Sequence, residues 1–130
     1  MIKFLILLLF PALTYAAFSV SSNDFETVRQ RSIDHKNSEV GDGYIRMEFE
    51  PYFESHFQEV MHYCFESVDI PEFETFEVIV QVGETGEIQA SWLSPYTNVG
   101  SCLSNELKHS QFPKPPFSPF YASIVMHVTD

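Results

Sequence analysis

The chain has 130 residues, with 18 Asp and Glu against 7 Lys and Arg for a formal charge of −11, and 45% of its residues are hydrophobic, 15% aromatic. That acidity excludes nucleic acid and anionic membrane surfaces as partners, because both repel it, and favours a cationic one. The length suits a single domain with one core and leaves no room for two.

In chain order the first element is a leader. Lys3 supplies a positive start, Phe4 to Phe10 an apolar run of seven residues, and Pro11 a break before a short small-residue stretch. Thr14 and Ala16 fit a cleavage site before Ala17. A retained anchor is the rival reading, but seven apolar residues fall far short of the roughly 20 a spanning helix requires. The expectation is therefore a secretory leader over residues 1–16, no membrane span after its removal, and no lipid anchor, since no cysteine follows the site. The remainder keeps six basic against eighteen acidic side chains, a charge of −12.

Residues 17–43 read as a polar N-terminal arm with isolated Phe25, Val28 and Ile33, either loose or folded into a short added helix. An ordered domain is expected over residues 44–130. Its first helix opens near Pro51, which the first turn tolerates, and carries Phe53, Phe57, Val60, Met61 and Cys64 on one face at helical spacing. It should stop before Pro71.

The period then changes from helical to alternating. Phe76, Val78, Val80 and Val82 alternate with Glu77, Ile79 and Gln81, as in a strand with one buried face. The turn Gly-Glu-Thr-Gly at 83–86 leads to Ile88, Ala90 and Trp92, completing a hairpin. Pro95 ends this strand and Asn98 offers a cap to a second helix, which turns Val99, Cys102, Leu103 and Leu107 inward. Glu106 falls inside that apolar arc and must reach solvent or find a partner. After the proline run at 113–116, Tyr121 to Val128 forms a last strand. Ala122, Ile124, Met126 and Val128 occupy one face, and Tyr121, Ser123, Val125 and His127 the other.

The order helix, strand, strand, helix, strand predicts an α+β two-layer domain, α-β-β-α-β. Its three-stranded sheet has the first strand in the centre, with two helices on one face. Cys64 and Cys102, the only cysteines, sit on those two helices, and an exported chain favours a single disulfide over two buried thiols. With no Cys-x-x-Cys pair, redox catalysis is disfavoured.

These features resemble the TonB C-terminal-like domains, in particular the two-cysteine variant of gliding-motility proteins. The matching residues are Tyr-Cys-Phe-Glu at 63–66, Phe-Glu-Val-Ile-Val-Gln-Val at 76–82, Gly86-x-Ile88, Cys102, and Phe-Pro-Lys-Pro-Pro at 112–116. They span Tyr44 to Val128, about two thirds of the chain. The resemblance implies a periplasmic, non-enzymatic binding domain whose last strand, Tyr121 to Val128, adds an extended peptide of a cell-envelope protein to its free edge. The chain shows neither an uncleaved anchor nor a Pro-rich spacer, so energy transduction of the TonB kind is not expected.

Chemistry offers little competition. His56, Glu59 and His62 carry one Glu-x-x-His unit, but they lie away from the apolar stripe, toward water, so neither a metal site nor a cofactor is expected. No metalloprotease, nucleophile-elbow or phosphate-loop motif occurs, and no enzyme is expected. Phe117, Phe120 and Tyr121 cluster after the prolines, as core or as an exposed patch beside the last strand. Two roles follow: an interaction module with Tyr121, Ser123, Val125, His127, Phe117 and Phe120 as candidate contacts, or a small acidic inhibitor or immunity protein that binds a basic enzyme or toxin. The oligomeric state is open.

Overall fold

The computed structural model describes residues 24–66 and 74–128. The leader expected at residues 1–16 and the helix stop expected before Pro71 lie outside them. The elements are α1 (Asp24–Asn37), α2 (Glu39–Tyr44), a π-helical segment (Ile45–Phe49), α3 (Glu50–His56), α4 (Gln58–Glu66), β1 (Glu74–Val82), β2 (Ile88–Ser94), α5 (Asn98–Leu107) and β3 (Phe120–Val128).

The sheet has the order β2-β1-β3, with β1 antiparallel to both neighbours, so this is the expected α+β arrangement with β1 in the centre. Alternation along β1 decides what each face meets. Phe76, Val78, Val80 and Val82 point into the main core, against the face formed by α3, α4 and α5. Each such burial contributes about 1.5–3 kcal/mol relative to exposure. Aromatic rings fill the space over the strands, Phe49 stacking on Phe112 at 4.6 Å and Tyr44 meeting Phe120 edge-on at 4.9 Å.

Pro51 sits in the first turn of α3, as expected. The helix beyond it is interrupted at Phe57, whose φ of −110° departs from helical geometry. The chain regains its ladder there through bonds from Phe57 N–H to Phe53 and from Met61 N–H to Phe57. The cap of α5 is one residue earlier than expected. Thr97, not Asn98, is extended and accepts the Gly100 N–H at 2.9 Å. Glu106 reaches solvent. The disulfide joins α4 to α5 as Cys64–Cys102, with the Cα atoms 5.7 Å apart.

The second face of the sheet is covered as well. Between residues 17 and 43, the described part is helical, and α1 lies across β3, β1 and β2. Val28 packs with Ile79 and Tyr121, flanked by Phe25 and Trp92, in a small core separate from the first. Ile79, read as belonging to the polar face of β1, is fully buried there. No helix among the described residues is long and apolar enough to cross a membrane.

Candidate functional site

β3 is an edge strand, and its pairing pattern decides which backbone groups are offered outward. In an antiparallel ladder, alternate residues turn both N–H and C=O toward the partner strand and the others turn both away. Tyr121 N–H donates to His35 Nδ1 at 3.1 Å, on the side away from β1. Tyr121 is therefore an outward-turned residue, and Ser123, Val125 and His127 follow it at the same phase. The even-numbered residues Phe120 to Val128 complete the ladder with β1.

The start of this edge is closed by the N-terminal helices. α1 covers one face and the α2 to α3 run the other, so the chain between them passes around the edge beside Tyr121. His35 is wedged there among Phe117, Phe120 and Tyr121, with ring centroids 4.8–5.7 Å away. Burial holds its pKa below the ordinary histidine value, as does Arg31, while Asp34 pulls the other way. The imidazole is thus kept neutral, with Nδ1 available as an acceptor.

From Ser123 onward the edge opens, flanked by a cleft on each face. One, of about 410 Å³, is walled by Phe49, Glu50, Phe53 and Glu54 over Ile124 and Met126. The other, of about 360 Å³, lies under Arg29, Ile33 and Lys36 of α1, over Ser123 and Val125. Glu50 lines both, so the clefts meet around the edge. On the α1 side both oxygens of Glu77 are engaged: one accepts Arg29 Nε at 3.1 Å and the other accepts the Ser123 hydroxyl.

The candidate contact residues divide by burial. Val125 is 52% exposed, His127 is exposed with Nδ1 3.2 Å from the Thr75 hydroxyl, and Phe117 is at the surface. Ser123 is half-buried. Phe120 is fully buried in the main core and Tyr121 is buried under α1, where Arg31 hydrogen-bonds its hydroxyl at 3.1 Å. These two rings hold the strand in place, and the accessible part of the edge is Ser123 to His127.

Sequence reasoning missed His35, Glu50, Phe53 and Glu54 as parts of this site. The one available signal was the pair Glu50 and Glu54, four residues apart on one helix, where like charges oppose each other.

The exposed residues His56 at the end of α3 and Glu59 and His62 of α4 form no comparable constellation. His56 stacks on Tyr52 and its Nδ1 meets the Ser55 hydroxyl at 2.8 Å, while His62 pairs with Glu66 at 3.0 Å and shares a shallow cleft with Glu59. Among the described residues no three His, Cys, Asp or Glu side chains converge to hold a metal ion. No family model, no curated protein and no solved structure matches this chain.

Proposed function

We propose that the chain is an exported, non-enzymatic interaction module of the cell envelope that captures an extended segment of a protein partner along the outer edge of β3. The observation that carries this reading is the open stretch Ser123 to His127, with outward-turned backbone groups, no strand beside it among the described residues, and a cleft on each face. An edge with an exposed valine and no covering element invites strand pairing, which natural proteins normally suppress. Main-chain hydrogen bonds to it would supply affinity, and the two clefts would receive alternate side chains of the added strand. On this reading the chain is a standalone TonB C-terminal-like domain, delivered to the periplasm by the leader at residues 1–16, and its disulfide fits that oxidising compartment.

The test is Val125→Pro. The N–H at position 125 points away from β1, so proline removes an outward donor without breaking the internal ladder. Partner captured from an envelope extract by the wild-type protein should be lost with the variant. The amides of Ser123, Val125 and His127 should exchange more slowly in the wild-type complex. Unchanged capture together with unprotected amides would sink the proposal. The acidic inhibitor reading is favoured by one observation, the charge of −11. It predicts capture that survives Val125→Pro and collapses steeply with salt.

A further inference from the structure

The two clefts beside β3 differ in charge, and the difference bears on what an added strand must contain. In the cleft on the α1 face, Arg29 is already paired with Glu77, and Lys36 shares the lining with Glu50, so acidic and basic groups are mixed there. In the other, Glu50 and Glu54 stand on one face of α3 with no ion-pair partner among the described residues and no basic residue in the lining. Beneath them the walls are apolar: Phe53 and Met126 are half-buried, and Phe49 and Ile124 close the floor.

Two carboxylates at a spacing of four on a helix repel each other. A cation between them reverses the sign of that interaction. The apolar floor matches the other half of a long basic side chain, whose methylene stem lies on hydrocarbon while its head stays at the polar rim. In an added strand, the residue opposite Ile124 or Met126 turns its side chain to the same face, which is the face of this cleft. The backbone edge and the acidic rim therefore act on one and the same residue.

We propose that the cleft between α3 and β3 receives a lysine or arginine of the incoming strand, so that the partner segment is extended and basic rather than simply apolar. This rests on strand addition at Ser123 to His127. It also gives the strong negative charge of the chain a local purpose, because the same field draws a cationic segment toward the edge before it docks.

The experiment is selection of short random peptides, displayed on phage, against the full exported protein. The selected peptides are then measured against Val125→Pro and against a double variant, Glu50→Gln with Glu54→Gln. The expected result is enrichment of Lys or Arg at one position flanked by β-branched residues. Binding should be lost with Val125→Pro and weakened about tenfold by the double variant, the scale of two partly screened charge pairs. Both glutamates are exposed, so the double variant should fold as the wild type does, which circular dichroism would verify. Peptides that need an unblocked Val125 but show no basic position, or that ignore the double variant, would overturn the basic cleft and leave strand addition standing. Peptides indifferent to Val125→Pro, or no selection above background, would overturn both.

Discussion

The N–H of Tyr121 is held by Nδ1 of His35 at 3.1 Å, and this one bond marks where the edge of β3 stops being covered and starts being open. It ties the arm-derived helix α1 to the strand on which the candidate site is built.

That bond makes the protein sensitive to acid. Burial keeps the folded pKa of His35 below its ordinary 6.5, with Arg31 acting in the same direction and Asp34 against it. Because the folded value is the lower one, the unfolded chain binds the extra proton first. The contribution of neutral His35 is therefore fully present above about 6.5 and is lost as pH falls from there through the folded value. Denaturant titrations between about pH 8 and about pH 5 should show a loss of stability that His35→Gln lacks. Parallel pH profiles for the two proteins would contradict it.

The disulfide spans 38 positions, and on the chain-entropy account closing such a loop contributes about 4 kcal/mol. That is a large share of the roughly 5–15 kcal/mol a domain possesses. Reductant, or the double substitution Cys64→Ala with Cys102→Ala, should move the urea midpoint strongly downward. Non-reducing peptide mapping of protein purified without reductant should recover the Cys64–Cys102 pair, and free thiols would refute it.

Two glycines should respond in opposite directions to alanine. Gly86 has φ +96° in the turn between β1 and β2, and a Cβ there would run into the carbonyl of Phe112, whose own N–H bonds to Gly86 at 2.9 Å. Gly86→Ala should cost about 2 kcal/mol. Gly43 lies in α2 with nothing within 4 Å of a Cβ, so Gly43→Ala should stabilise by about 0.5–1 kcal/mol. Thermal melts of the two variants suffice, and a destabilised Gly43→Ala would show that α2 tolerates no side chain there.

The aromatic cluster ahead of β3 separates in the same way. Phe120→Ala removes a fully buried ring and should cost about 3–5 kcal/mol. Phe117 is 36% exposed, so Phe117→Ala should cost much less and act chiefly through its contact with His35. Equal losses would mean that Phe117 is as much a part of the core as Phe120.

Much of the sheet was legible because β1 and β3 are strictly alternating, and one buried face is enough to specify which residues turn inward. The helix α5 and the cysteine pairing were legible for the matching reason at helical period. α1 was not, because its inward face is little more than Phe25 and Val28, too few to form a stripe. Its docking depends on Ile79, Trp92 and Tyr121, which sit among polar neighbours and show themselves as a second core only once the strands are paired. Phe120 and Phe117 look alike in sequence. Phe120 is the first ladder residue of β3, paired with Val82, and its even phase sends the ring inward. The acidic cleft was hidden for a related reason: Glu50 and Glu54 acquire meaning only from the strand edge beside them, which is about seventy positions away in the chain.

The placement of β3 also bears on when a partner can be engaged. This strand pairs with β1 across almost fifty residues, Val125 opposite Glu77. Such distant pairing forms late, after the local helices and the hairpin. A chain clipped before Phe120 has no β3 edge to offer. Strand addition as proposed above would therefore require the finished β1–β3 ladder, so that a partner of that kind would read the completion of the fold.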